Sequence, residues 1–292
     1  MKKREYITDV ESYWNYFLLA SEDVKSGEQF EYSLRGRNSS FSPAQRRELR
    51  RHIIENRHYT FNGRNYDALI MTAASLGYTV AEMKKITNFI IEKKQKSWDV
   101  ERKYGFKVPD FDHVDLIEVA FGRASLKIYN GRRHGQRLQD FPYAPESRLN
   151  DHQMDNVCDY CFNDLDATRN VMNAVRGQLD LRIALGKQHG IDLRSKSDAQ
   201  VAEAIIKKEM IRRTGRCDKS AEGEWYEGKE FYYNIPKFIK FRSKKLNDLL
   251  DLIYDTPLVI GKGGYVNLPN VLKEKIRINE GVYTLGIGGI HS

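Results

Sequence analysis

Ile7-Thr8-Asp9-Val10-Glu11-Ser12 stands almost at the start of the chain, after a short basic segment and a tyrosine. Tyr6, Ile7, Thr8 and Val10 are aromatic or β-branched, so the local preference is strand. Side chains alternate along a strand, which sends Asp9 and Glu11 to the same face. Two residues of rise is roughly 6–7 Å, close enough for two carboxylates to share divalent cations. Neighbouring like charges are costly unless a cation or a proton offsets them. The competing reading is a solvated strand face, since a chain with 40 acids produces a D-x-E by chance. The later chain has to decide between the two.

Working outward, 292 residues suffice for one large domain or two ordinary ones. A hydrophobic share of 40% with 30% charged residues suits a soluble fold with a sizeable core. No run approaches the roughly 18 apolar residues of a membrane span. The basic start Met1-Lys2-Lys3-Arg4-Glu5 lacks the apolar stretch of a signal peptide. Three unevenly placed cysteines do not make a disulfide framework, so a reducing cytoplasm is expected. A net charge of +8 and a pI of about 9.2 favour a polyanionic partner.

Gln29–Ser33 is expected as a hairpin partner of the first strand. Ser42-Pro43-Ala44-Gln45 carries the marks of a helix start: N-cap, proline at the first position and a capping box. Leu49 and Ile53 of that helix point inward, and it ends near Asn56. His58–Phe61 reads as a strand broken at Asn62-Gly63. Asp67 heads an apolar helix that stops at Gly77. Thr79 and Glu82 open another helix, and Phe111–Ile117 reads as a strand. Residues 123–142 read as a short helix followed by a loop. Asn150 caps a long helix whose buried stripe is Met154, Val157, Cys158, Cys161, Leu165 and Met172. Helices follow over Leu179–Gln188, from Ser197 to Gly215, and over Leu246–Tyr254. The texture changes at Glu222, which divides the chain into residues 1–221 and an appended region, 222–292. Alternating strands and helices predict an α/β fold.

Three stretches now line up: Asp9-Val10-Glu11, Asn62-Gly63-Arg64-Asn65-Tyr66-Asp67, and Tyr160-Cys161-Phe162-Asn163-Asp164. They resemble the three motifs of the tyrosine subtype of DEDD exonucleases: D-x-E, N-x₃-Y-D and Y-x₃-D. Their order and intervals are similar to the proofreading domain of family B DNA polymerases. Gly190–Gln200 and Gly288-Gly289-Ile290-His291-Ser292 look like phage-encoded members of that family. The resemblance covers essentially the whole chain.

The resemblance implies a ribonuclease H-like core, with a mixed sheet flanked by helices. It implies a 3′→5′ exonuclease with two ions, Mg²⁺ or Mn²⁺, which suit hard oxygen ligands. Asp9, Glu11 and Asp164 would hold the first ion; Asp9, and Asp67 through water, would serve the second. Tyr160 would orient the attacking water, and Asn62 and Tyr66 would shape the pocket for the 3′-terminal nucleotide. The implied partners are single-stranded or frayed 3′ ends of DNA and the polymerase portion of the same enzyme. A phage-encoded protein of this kind would work in a bacterial cytoplasm. The polymerase motifs D-x₂-S-L-Y-P and D-T-D are not found, so the chain is read as the N-terminal proofreading part of a larger polymerase. Two rival readings stand beside it: a nucleic-acid-binding module of a replication complex, and an RNA-directed exonuclease of the same superfamily.

Other features take plainer readings. Cys158-x₂-Cys161 has zinc-like spacing but no second pair, and both residues fall on the buried stripe, so they are read as core. Asp166 lies on a different helical face from Asp164 and is read as a solvated acid. His113 is read as a packed or surface histidine. Gly261-x-Gly263-Gly264 lacks the setting of a phosphate loop and is read as a turn.

Overall fold

In the computed structural model the Asp9 stretch is the middle strand of a five-stranded sheet. The structure describes residues 3–120, 122, 124–133, 135, 139–215, 227–261, 266–278, 281–286 and 289–291. Strand β1 (Glu5–Tyr13) turns through Trp14 and Asn15 into β2 (Tyr16–Asp23), and β3 (Gln29–Arg35) follows. Then come α1 (Pro43–Glu55), β4 (Arg57–Thr60), α2 (Asp67–Leu76) and α3 (Val80–Ile91). They are followed by α4 (Ser97–Tyr104), β5 (Asp112–Asp115) and α5 (Leu126–Arg132). Helices α6 (Asp151–Ala174), α7 (Arg176–His189) and α8 (Asp198–Thr214) close this part.

The strand order is β3-β2-β1-β4-β5. β1 pairs antiparallel with β2, and β2 antiparallel with β3. β1–β4 and β4–β5 are parallel, so the sheet is mixed. One face packs Ile7, Leu18, Tyr59 and Val114 against Val157, Cys161 and Leu165 of α6. The other packs Val10, Phe17 and Leu19 against α1, α2 and α3 through Leu49, Ile53, Leu69 and Ile86. The fold is therefore α/β, a mixed sheet flanked by helices.

Local chemistry explains most boundaries. Ser42 with Gln45, Thr79 with Glu82, and Asn150 with Gln153 each form a capping box that satisfies the first backbone N–H groups of its helix. Gly77 ends α2 in the left-handed conformation, φ 93°, where a side chain would be strained.

Two expectations need correction, and two elements escape the sequence reading. Gln29–Ser33 is not the neighbour of β1; it pairs with β2, which lies between them. β2 escapes a period-two reading because Tyr16–Glu22 is buried on both faces, so no polar alternation marks it. Strand β5 stops at Asp115, short of Ile117, because the Asp115 carboxylate accepts from Ile117 N (3.2 Å) and starts a 3₁₀ turn, Leu116–Glu118. Helix α4 has one buried residue, Val100, and so no apolar stripe to announce it.

The chain divides into two compact units, Met1–Arg213 and Thr214–Ser292. The boundary expected after residue 221 falls among residues 216–226, outside the described residues. The second unit holds β6 (Glu230–Phe231), α9 (Lys244–Asp255), β7 (Leu258–Ile260) and β8 (Val266–Asn267). It also holds β9 (Ile276–Ile278), β10 (Gly281–Gly286) and β11 (Gly289–His291). The last three form one sheet and β6-β7-β8 another. Gly263, Gly264, Gly288 and Ser292 of the glycine-rich stretches lie outside the described residues. No helix among the described residues is long and apolar enough to cross a membrane.

Candidate functional site

β1 sets the site. Its alternation turns Asp9 and Glu11, with Ile7 and Tyr13, toward α6. Helix α6 returns the complement, because Cys161 and Asp164 fall three residues apart on the turn facing β1. One carboxylate oxygen each from Asp9, Glu11 and Asp164 lies within 4.8 Å of the others. The loop after β4 supplies Asp67, the first residue of α2 and only 3% exposed. Asp67 is outside that group of three but lines the same cleft, of about 560 Å³, as do Asp9, Glu11 and Asp164. Asn62 and Tyr66 also line it. The cleft lies where β4 and β5 end, the carboxyl edge of the parallel strands, where open α/β sheets commonly bind ligands.

The electrostatics of the carboxylates are those of a site short of positive charge. Burial, then the charge of Asp164, pushes Asp9 up to about 7. Burial raises Asp164 to about 6, against the hydroxyl of Tyr160 and the charge of Lys127, which pull it down. Glu11 and Asp67 are held well above the usual carboxylate range, first by burial and next by Asp9. Asp67 Oδ1 is buried with no hydrogen-bond partner among the described residues. Such a group normally finds a donor or a cation. A divalent cation satisfies all of these at once, because it takes hard oxygen donors and removes the repulsion. The acidic group can therefore hold a metal ion.

Tyr160 does not line the cleft itself. Its ring meets Phe141, which does, edge-on at 5.4 Å. Burial and then the charge of Asp164 keep its phenol protonated far above neutral pH, so the hydroxyl is a permanent donor there. Lys127 Nζ stands 5.4 Å from the centre of the same ring.

The turn carrying Asn62 is built with unusual care. Asn62 takes the left-handed backbone at φ 66°. Gly63 admits no side chain, since a Cβ there would lie 2.1 Å from Thr60 Oγ1. The buried carboxylate of Asp115 then accepts from Asn62 N (2.8 Å) and Arg64 N (2.9 Å). Asp115 N donates to Ser195 Oγ at 2.9 Å, which ties in the segment before α8. We expect Asp115→Ala to destabilise the protein by about 2–4 kcal/mol, because three backbone N–H groups lose the buried carboxylate that accepts from them. Asp115→Asn should cost less. Urea unfolding checks this, and an alanine variant within about 0.5 kcal/mol of wild type would contradict it.

Several of these residues gave no warning in the sequence. Lys127 is one cation among 48, and only the fold brings it to Tyr160. Cys161 is more than core: it is fully buried, as expected, but its thiol donates to Asp9 Oδ2 at 3.3 Å. Cys158 is a correction, since it is only half-buried and donates to Glu31 Oε2 at 2.8 Å; its position on α6 falls at the stripe's edge, facing β3. Ser12 lines the cleft with its hydroxyl buried and unpartnered among the described residues. Asp166 is exposed, and His113 is packed, its Nε2 at 2.7 Å from Thr60 Oγ1. No family model, no curated protein and no solved structure matches the chain.

Proposed function

We propose that this chain is a metal-dependent 3′→5′ DNA exonuclease, the proofreading part of a family B DNA polymerase, built on a ribonuclease H-like core. The observation that carries the reading is the meeting of four carboxylates from three separated segments in one cleft, with Tyr160 beside them. A protein that only bound nucleic acid would gain nothing from burying four mutually repelling acids.

The donor set fits Mg²⁺ or Mn²⁺, being all carboxylate with one buried oxygen left over. Asp9, Glu11 and Asp164 would hold one ion, and Asp9, with Asp67 through water, a second. Bound there, two ions neutralise phosphate charge and make water a better nucleophile. The protein's own groups do the positioning. Tyr160, protonated, orients the attacking water from the α6 side. Asn62 and Tyr66 receive the terminal nucleotide, with Tyr66 fixed by a 3.3 Å hydrogen bond between its hydroxyl and Thr87 Oγ1. Across the cleft, Lys84 pairs with Glu146 (3.2 Å), which also accepts from Trp14 and Asn88. That network braces the wall facing the acids.

A single-nucleotide cleft cannot reach a bond inside a stacked duplex, so frayed and mismatched 3′ ends should be cut first. The test is a 5′-labelled primer with Mg²⁺ or with EDTA, alone and on a template. The expected result is a ladder shrinking from the 3′ end only with metal, faster from a terminal mismatch, and never extended by nucleoside triphosphates. Shortening from the 5′ end, or cleavage in EDTA, would overturn the reading.

A further inference from the structure

The last turn of α3 forms one wall of the cleft through Asn88, Ile91 and Glu92. The chain then turns at Lys94, whose φ of 49° makes it, with Asn62, one of two non-glycine residues of positive φ among those described. A left-handed lysine is rare, and such strain is held only where the surroundings fix it. Here it folds α4 back on α3, where the Tyr104 ring meets Phe89 edge-on at 5.9 Å and the Tyr104 hydroxyl donates to Lys85 O at 3.1 Å. The result is an exposed edge that runs on from the cleft wall.

Its chemistry is that of a polyanion surface. Between residues 92 and 107 six lysines and arginines stand against Glu92, Asp99 and Glu101. Two of those acids are engaged locally: Asp99 by Arg102 at 3.0 Å, Glu101 by Val108 N at 2.9 Å. Lys93, Lys94 and Lys96 are exposed and form no ion pair among the described residues. Beside them Trp98 is 56% exposed, with the Arg102 guanidinium 5.4 Å from its ring centre. Burying Trp98 would be the ordinary fate of so large an apolar ring. Cations interleaved with an exposed aromatic are what single-stranded nucleic acid uses, with phosphates on the first and bases stacked on the second.

We propose that this α3–α4 edge seats the single strand that leads into the cleft, its phosphates on Lys93, Lys94 and Lys96 and a base on Trp98. The inference rests on the exonuclease reading and adds to it the path of the strand 5′ of the terminal nucleotide. A trinucleotide offers the edge at most two nucleotides beyond the one in the cleft, whereas a dodecanucleotide can span it.

The test compares 5′-labelled dT3 and dT12 as substrates of the full chain with Mg²⁺. Wild type should show a lower KM for dT12. Trp98→Ala should raise the KM for dT12 roughly tenfold, a stacking loss, and leave kcat/KM for dT3 within about twofold. The pair Lys93→Glu with Lys96→Glu should also weaken dT12 and cut its salt slope by about 1.4. Both changes are at the surface, so the lysine pair still decides the matter if Trp98→Ala fails to fold. Equal KM for the two lengths in wild type, or equal losses on both in the variants, would overturn the proposed path while the nuclease stands. Metal-dependent cleavage of neither oligonucleotide would instead overturn the exonuclease reading, and the path with it.

Discussion

Asp9→Asn is expected to lower Mg²⁺-dependent cleavage by at least about 10³-fold while making the metal-free protein more stable. The loss follows from its position. Asp9 is a member of the close oxygen group and the residue whose charge most raises Glu11 and Asp67 after burial itself. In the proposed site it would serve both ions, and each ion would contribute several kcal/mol of charge stabilisation, which is on the order of 10³-fold. The gain in stability follows from the same crowding. Burial and Asp164 raise the Asp9 carboxyl to about 7 in the folded protein. Above pH 7 the folded, metal-free protein carries that ionised acid at a cost, while the unfolded chain ionises it freely near 4. The amide removes the cost, for about 1–3 kcal/mol at pH 8. As pH falls from 7 toward 4 the wild-type folded state protonates first, so the advantage of the variant shrinks. Added Mg²⁺ should reverse the order, because it stabilises wild type through binding and the variant much less. Thermal unfolding in EDTA at pH 8 and pH 5, then in Mg²⁺, measures all three. A variant of near wild-type rate at saturating Mg²⁺, or one less stable than wild type in EDTA at pH 8, would sink the assignment. Adding Glu11→Gln should make matters little worse, since the acids act as a unit.

The parts of this protein that could be read in the sequence are those fixed by local chemistry. Ser42-Pro43-Ala44-Gln45 announces α1 because a capped helix end is satisfied by its own neighbours. The 3.6-residue period of α6 places its buried face, and the interval from Tyr160 to Asp164 is one turn. What depends on distant partners was not legible. β2 is hidden because a strand buried on both faces reads only as an apolar run. Asp115 lies more than fifty residues from Asn62, and nothing in either segment says that one carboxylate holds the other's turn. Cys161 shows the limit most directly. Its helical position says that it is buried, as it is, yet only the sheet on the other side decides that it is buried against Asp9.

Tyr160→Phe is expected to slow cleavage by roughly 10–10³-fold, the range of a group that orients a proton or a water, with little change in metal binding. The substitution removes one oxygen and keeps the ring. The edge contact with Phe141 at 5.4 Å and the approach of Lys127 are contacts of the ring, so both survive. Tyr160 is 4% exposed, and phenylalanine keeps the ring in place, leaving only the small space of the hydroxyl. What goes is the hydroxyl that lowers the Asp164 carboxyl, so Asp164 should become slightly more basic in the variant. The Tyr160 effect is the smaller of the two, burial being the larger, and its loss leaves the carboxylate in place to bind metal. The phenol cannot act as a base near neutral pH, since burial and Asp164 hold its proton. Its contribution must therefore be to position, and a positioning loss appears in kcat rather than in KM. Calorimetric titration with Mn²⁺ beside single-turnover cleavage of a labelled oligonucleotide separates the two roles. If Mn²⁺ affinity collapsed together with the rate, Tyr160 would belong to the metal shell through Asp164. If the rate were unchanged, the hydroxyl would be a packing feature of α6 and the water would take its orientation from elsewhere in the cleft.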